Sequence, residues 1–448
     1  MEFCSVKKIT INLIMKNPKA FSFKLFLLCL LLLGIQSGLK AQFSLDAQIR
    51  PRAEFRNGFK QLVNETNDPA FFISQRTRLN AGFKSDKIQL GISVQDIRVW
   101  GDQPQLVANS NQLMLHQAWA AYLFNEHLKL KVGRQELVYD DARILGNVDW
   151  AQQARSHDLA LLVYENDFKL HLGVAYNQEQ ERLIGTDYQV NNYKTMQFAW
   201  FHKSFDKWNL SLLGMNNGWQ FDYEEDGLDK SKTVFAQTLG GRVVYKQNKL
   251  DLNAAAYLSM GKDASDRDLS AYYLAAGANY AANSDWMFGL GWEYLSGTSE
   301  LEKAKDPDYT NNSFNPYYGT NHKFNGFMDY FYVGNHINSV GLSDVYVSAK
   351  YRQDKWNLSG TLHFFSAANE VLNQDIVNTV EAMPNGLGTE LDLVFSYNLS
   401  PQVGLSVGYS QMFGTKTLEM LKGGDSGITN NWAWVMINFK PTLIKEIF

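Results

Sequence analysis

The chain reads as all-β, a transmembrane antiparallel barrel of about eighteen strands with short periplasmic turns and long outer loops. Three observations predict this. One amphipathic hairpin pattern recurs along the whole chain, the connections between strands alternate in length, and aromatic residues sit beside the short turns.

The segment from Glu390 to Phe413 shows the repeating unit. Leu391, Leu393, Phe395 and Tyr397 share one face of the first strand, with Glu390, Asp392, Ser396 and Asn398 on the other, because side chains alternate sides along a strand. After the turn Asn398-Leu399-Ser400-Pro401-Gln402, the return strand sets Val403, Leu405, Val407 and Tyr409 against Gly404, Ser406, Gly408 and Ser410.

In chain order the same alternation places strands at 44–56, 72–84, 87–100, 112–124, 127–136, 155–164 and 168–176. It continues at 193–205, 208–215, 233–245, 250–260, 270–280 and 286–295, and ends with 343–351, 356–365, 389–397, 403–413 and 431–439. A tail, 440–448, has no place in the pattern. Short connections such as Ser85-Asp86, Asn125-Glu126, Asp206-Lys207 and Gln353-Asp354 alternate with long ones at 57–71, 101–111, 137–154, 177–192, 216–232, 296–342, 366–388 and 414–430. Outer-membrane barrels have this asymmetry. An even count with both ends in the periplasm gives eighteen strands, or sixteen if one hairpin is misread. Phe205 and Trp208, Tyr280 and Trp286, Tyr351 and Trp356 flank short turns, with Tyr122, Phe124, Tyr245 and Tyr397 nearby. Amphipathic rings at that position fit an interfacial girdle.

Residues 1–41 are expected to be a cleaved signal peptide, with the barrel occupying 42–448. Lys7, Lys8, Lys16, Lys19 and Lys24 precede an apolar run from Leu25 to Ile35, followed by small residues up to Ala41. That run is too short for a spanning helix, which needs about 20 residues. Leu28 before Cys29 is too large for a lipoprotein cleavage site. Both cysteines, Cys4 and Cys29, fall in this segment, so the mature chain has no disulfide and no thiol chemistry. Removing the segment's net +5 from the chain's −4 leaves −9, which argues against a nucleic-acid partner.

Candidate functional residues concentrate on the early strands. Nine of the thirteen arginines after residue 41 lie between Arg50 and Arg155. Arg50, Arg52, Glu54 and Arg56 share a face opposite Leu45, Ala47, Ile49, Ala53 and Phe55. Arg76, Arg78 and Asn80 repeat the design opposite Ile73, Leu79, Ala81 and Phe83. A lipid-facing Arg costs about 2–4 kcal/mol at the bilayer midplane, so three on one strand would rival the net stability of an ordinary domain. These five arginines are therefore expected in the lumen. With Arg98, Arg134, Arg143, Arg155 and Asp158 they form either a positive track for anionic solutes or a neutral ladder paired by Glu54, Asp96, Asp102, Asp140, Asp141 and Asp158. The run 315–332 is too aromatic for a plain solvated loop. Tyr317, Tyr318, His322, Phe324, Asp329 and Tyr330 are placed either at a constriction or sugar-stacking surface, or in packing against other loops.

No metal-ligand spacing, cofactor motif or phosphate loop stands out. His116, Ser156, His157 and Asp158 are the nearest approach to a catalytic set. A barrel hydrolase and a closed structural or adhesin barrel are the alternatives to a channel.

Gly133-Arg134-Gln135-Glu136-Leu137, Arg143-Ile144-Leu145-Gly146, Asp149-Trp150 and Arg155-Ser156-His157-Asp158 resemble the alginate-export outer-membrane channel family, in the form found among Bacteroidetes-type bacteria. Gln95 to Asp102 and His322 to Tyr332 are similar to it too. The resemblance implies a monomeric 18-stranded barrel embedded in outer-membrane lipid, with an electropositive, arginine-rich pore that passes a polyuronate or another acidic oligosaccharide.

Overall fold

The computed structural model describes residues 41–106, 112–188, 190, 192–374 and 381–447; nearly all of the expected signal peptide lies outside them. The strands are β1 (Gln42–Asn57), β2 (Ala70–Lys84), β3 (Ile88–Val99), β4 (Leu113–Leu123), β5 (Leu128–Gln135), β6 (His157–Glu165), β7 (Lys169–Tyr176), β8 (Thr195–Phe205) and β9 (Trp208–Glu225). They continue as β10 (Leu228–Gln247), β11 (Leu250–Lys262), β12 (Asp268–Ala281), β13 (Trp286–Leu295), β14 (Leu342–Arg352), β15 (Trp356–Ser366), β16 (Gly386–Ser400), β17 (Val403–Gly414), β18 (Asn430–Phe439) and β19 (Thr442–Ile447).

Each strand from β1 to β17 pairs antiparallel with the one after it, and β18 returns to β1, with Ile49 opposite Phe439 and Asn57 opposite Asn431. The sheet closes, which removes the edges that an open sheet exposes. The short β19 does not widen the wall. It continues β18 past Pro441 and pairs Gln42 to Asp46 of β1. Pro441 has no N–H for the ladder, but its carbonyl accepts from the Ala47 N–H at 3.0 Å. The wall therefore has eighteen strand positions, the last shared by β18 and β19, and the tail 440–448 becomes part of the closure.

Turns of two to four residues join β2 to β3, β4 to β5, and so on to β16 and β17, all at the end where both termini lie. The opposite end carries the long loops, with two departures. Residues 216–232, expected to be a loop, are strand on both sides of a tight turn. β9 runs to Glu225, β10 starts at Leu228, and Asp226 and Gly227 have φ of +57° and +72°. Asp-Gly is the two-residue signal for a type I′ hairpin, and it overrides the charged run Glu224-Glu225-Asp226 that reads as loop. β11 and β12 are also joined closely, across 263–267.

The protein is apolar outside and polar inside. Ile49, Phe55, Leu79, Leu212, Leu239 and Leu290 are exposed on the outer face, whereas Gln48, Arg50, Arg52, Glu54, Arg76 and Gln95 are buried within. That inversion suits a hydrocarbon surround. At the short-turn end Trp208 is level with Tyr245, Trp286 with Tyr351, and Trp356 with Tyr397. Ring centroids are 4.6 Å apart for Trp208 and Tyr245 and 4.8 Å for Trp286 and Tyr351, and Trp356 lies 5.4 Å from Tyr351. Recurring exposed rings at one level make a belt as well as hairpin staples.

Candidate functional site in the barrel lumen

The even-numbered residues of β1 and β2 face the interior, and they meet the loop 136–156, which turns into the lumen. Arg50 donates from Nε and Nη2 to Gln152 Oε1 at 3.1 and 3.0 Å and from Nη1 to Asp149 at 3.3 Å. Arg76 donates to the other Asp149 oxygen at 2.8 Å and to Gln48 Oε1 at 3.0 and 2.7 Å. Arg52 holds the Trp150 carbonyl at 2.7 Å, lies 4.1 Å over the Trp150 ring, and pairs with Glu54 at 2.8 Å. Arg56 shares Glu54 at 2.8 Å. Arg78 is bonded to Gln95 at 2.9 and 2.6 Å, with Glu136 3.8 Å away. Among the described residues, Arg50, Arg52, Arg56, Arg76 and Arg78 thus meet only Glu54, Glu136 and Asp149 as carboxylate partners within 4 Å.

The other arginines named from the sequence do not join this cluster. Arg98, Arg134 and Asp158, expected in the lumen, lie instead on the outward strand face shared with exposed Ile92 and Val132, where Arg98 pairs with Asp96 at 2.6 Å and Arg134 with Asp158 at 2.7 Å. Arg155 donates to the Gly319 carbonyl at 3.0 Å. Arg143, fully buried on the inner loop, reaches Glu293 at 3.0 Å and Asn325 at 2.8 Å. Asp141 pairs with Arg242, Asp140 accepts from the Trp200 indole, and Asp102 accepts from the Val99 N–H.

The long loop 296–341 folds inward and locks onto the first loop. The Tyr318 N–H donates to the Ile144 carbonyl at 3.1 Å, the Gly146 N–H to Tyr318 at 2.8 Å, and the Thr320 N–H to Ala142 at 2.8 Å. His322 stacks on Trp150, with centroids 4.1 Å apart and planes 15° apart, and on Phe327 at 4.7 Å. Asp329 lies 3.6 Å from His322, and Phe324 lies 4.7 Å from the Arg143 guanidinium. The Tyr330 hydroxyl donates to the Gly58 carbonyl at 2.6 Å. Tyr317 stacks on Trp219, and the Tyr318 hydroxyl donates to Asn217 at 2.8 Å.

The wall of β13, β14 and β16 carries a feature that the sequence reading missed. Glu293 on β13, Asp344 on β14, and Glu390 and Asp392 on β16 are all buried. They anchor the second loop. The Asn325 side-chain amide donates to Glu293 and Asp344 at 3.1 Å each, the Met328 N–H to Glu390 at 2.7 Å, and the Phe327 N–H to Asp392 at 3.2 Å. His363 lies 3.0 Å from Asp344 and 3.6 Å from Asp392. Gly326 has φ +84°, and a Cβ there would come within 2.6 Å of the Glu390 carboxyl. The alternation that placed the arginines inside also marks these acids, since each lies on the polar face of an amphipathic strand.

The catalytic candidates are only partly assembled. Ser156 Oγ lies 3.2 Å from His116 Nδ1, and His116 Nε2 lies 2.7 Å from Glu136. His157 instead bonds the Tyr193 hydroxyl at 2.9 Å, and Asp158 is taken by Arg134. Among the described residues, no group of three or more His, Cys, Asp or Glu is arranged to hold a metal.

Three cavities follow one another along the wall of β1 to β4. One of about 740 Å³ opens at the short-turn end beside Gln42, Lys84 and Gln89. The next, about 390 Å³, shares those three residues and adds Asp46, Asn80 and Gln117. The third, about 530 Å³, shares the latter three and ends on Arg76, Arg78, Glu136, Asn147 and Asp149. Burial raises the pKa of Asp149, and the guanidiniums of Arg76 and Arg50 outweigh that and hold it below the usual carboxylate value.

A family model described as "Alginate export" matches residues 41–424. The chain belongs to the alginate export family. This family member also shares its fold with solved barrels from Pseudomonas aeruginosa at low identity. OccK9 (OpdG) is 11% identical with a TM-score of 0.61, over 90% of this chain and 98% of that one. OprD is 11% identical with a TM-score of 0.56, over 90% and 94%. OpdK, solved with vanillate, is 11% identical with a TM-score of 0.56, over 89% and 98%. No curated protein sequence matches the chain. The chain is an outer-membrane β-barrel of the channel type.

Proposed function

We propose that this channel passes anionic, carboxylate-bearing saccharides by passive diffusion along the β1–β4 wall. The observation that carries the reading is the imbalance on β1 and β2, where five guanidiniums face three carboxylates within 4 Å. The third cavity itself is balanced, with Arg76, Arg78 and Lys440 against Asp46, Glu136 and Asp149, so the surplus comes from Arg50, Arg52 and Arg56 beside it, which share Glu54 and Asp149. Glu390 and Asp344 have no exposed surface and lie beneath the second loop, whereas Arg76 and Arg78 line the third cavity. Excess positive charge in a low-dielectric tube raises the local concentration of anions, and bidentate Arg contacts favour carboxylates. Side-chain amides of Gln48, Asn80, Gln117 and Asn147 share that cavity and suit sugar hydroxyls. The two inner loops narrow the lumen, the short-turn end faces the periplasm, and one chain suffices because it closes its own sheet. OpdK, solved with the carboxylate vanillate, has the same fold.

The test is the reversal potential of single channels in a planar bilayer under a KCl gradient. Chloride preference is expected, and Arg76→Gln with Arg78→Gln shifts the potential toward cations. Potassium preference in the unmodified protein rules out the anion pathway.

A further inference from the structure

The inner end of the polar track is already occupied by an anion. One Asp149 oxygen lies 2.8 Å from Arg76 Nη2 and the other 3.3 Å from Arg50 Nη1. The exposures are unequal. The Asp149 side chain is 45% exposed, on the wall of the 530 Å³ cavity, while those of Arg76 and Arg50 are 1% and 4% exposed.

The two guanidiniums are also fixed without Asp149. Arg76 is bonded to Gln48 and to the Gln152 carbonyl at 3.3 Å, and Arg50 to Gln152 Oε1. The loop backbone beside Asp149 is fixed independently, because Arg52 and Arg50 hold the Trp150 carbonyl at 2.7 and 3.3 Å. The carboxylate of Asp149 can therefore rotate off the pair while the loop and both arginines stay in place.

We propose that Asp149 is a tethered competitor. It fills the subsite where the carboxylate of a passing uronate-type sugar binds, and the sugar enters by exchanging its own carboxylate for that of Asp149 on Arg76 and Arg50. The inference rests on the anionic-saccharide reading above. Exchange replaces one charge-assisted pair with another, so no buried guanidinium is left bare at any stage. A tethered group acts at a local concentration in the millimolar range or above, which keeps the free sugar's affinity low. A conducting site needs that, since a solute must leave as readily as it enters. The displaced Asp149 carboxylate stays in the cavity near Arg78.

Calorimetric titration of the full barrel in detergent with sodium glucuronate, with glucose as the neutral control, tests the exchange. Asp149→Asn keeps the side-chain shape and removes the competing charge. Glucuronate is expected to bind D149N at least tenfold more tightly than the unmodified protein, with glucose the same for both. Equal or weaker glucuronate binding by D149N, or no binding by either protein, overturns the proposal. The heat-dependent gel mobility of a folded barrel confirms that the variant is folded. Bilayer recordings of the same two proteins separate the two claims. Anion-selective conductance together with unchanged glucuronate affinity removes the competitor and keeps the channel. No conductance from either protein removes the channel reading itself.

Discussion

Replacing Arg143 with methionine should unseat both inner loops. Arg143 lies on the first loop, and its Nη2 sits 3.0 Å from Glu293 on the barrel wall and 2.8 Å from Asn325 on the second loop. One guanidinium thus joins three separate parts of the chain. Both charged side chains are nearly inaccessible, at 2% and 7% exposure. Truncating one member of such a pair costs about 3–5 kcal/mol, because the remaining charge stays buried without its partner. Here Glu293 would be left sharing Asn325 with Asp344. The amides of Tyr318 and Thr320, bonded to Ile144 and Ala142 across the two loops, report on the docking. At 1.36 kcal/mol per factor of ten, their hydrogen exchange should speed up by roughly two to three and a half orders of magnitude. R143M/E293M removes both charges and should restore protection to within about tenfold, since apolar replacement of a whole buried pair is often neutral. Exchange mass spectrometry on the detergent-solubilised barrel reads both variants. An R143M protein as protected as the original, or a double variant less protected than the single, refutes the reasoning.

Other outcomes follow from the same geometry. Trp150→Ala loses the His322 stack and the Arg52 contact, so the second loop should dock about 2 kcal/mol less tightly and mean single-channel conductance should rise. Burial, assisted by the nearby Arg143 charge, pushes the His336 imidazole down to about 3. The undocked loop binds a proton near the ordinary His value of about 6.5, so loop protection is full above that pH. It should fall by up to about 1.4 kcal/mol per pH unit as pH drops from there toward 3, and His336→Asn should flatten the slope. Asp149, held below the usual carboxylate value, stabilises docking above its free pKa of about 3.9. That contribution is lost only as pH falls below about 4; Glu293, Glu390, Asp392 and His363 also face the docked loop, so the difference between the original protein and His336→Asn gives the His336 share of the slope. Leu290→Arg on the lipid face should destabilise the barrel by about 2–4 kcal/mol in urea unfolding, whereas Asn80→Arg on the cavity-lining inner face should change it less.

The barrel was legible because its signal is local and periodic. An alternation of two places Arg50 inside and Ile49 outside without any knowledge of neighbours, and the cost of guanidinium in lipid sets the direction. The same rule applied to Glu293, Asp344, Glu390 and Asp392 would have exposed the acidic wall; attention to arginine hid it. The extended β9–β10 hairpin was signalled by Asp226-Gly227, but the surrounding charges read as loop. The tail needed the partner register of β1, where Asp46 faces Thr442 across a bulge. The site itself was least legible. Its architecture depends on contacts between remote segments, such as Tyr318 with Ile144 and Arg143 with Glu293, which leave no spacing pattern in the chain. The loop aromatics announced burial, but the partners of His322 and Tyr330 emerged only from the fold.

The account stands on the claim that alternate residues of β1 and its neighbours face hydrocarbon and a polar lumen. The described residues contain no cysteine, so single cysteines can carry a spin label without background. Labels at Ile49, Phe55, Leu79 and Leu290 in lipid vesicles should be relaxed strongly by oxygen, and labels at Ser74, Ser93 and Gln95 should be shielded from it. Loss of that alternation, or oxygen access at the lumenal positions equal to that at Leu290, contradicts the account.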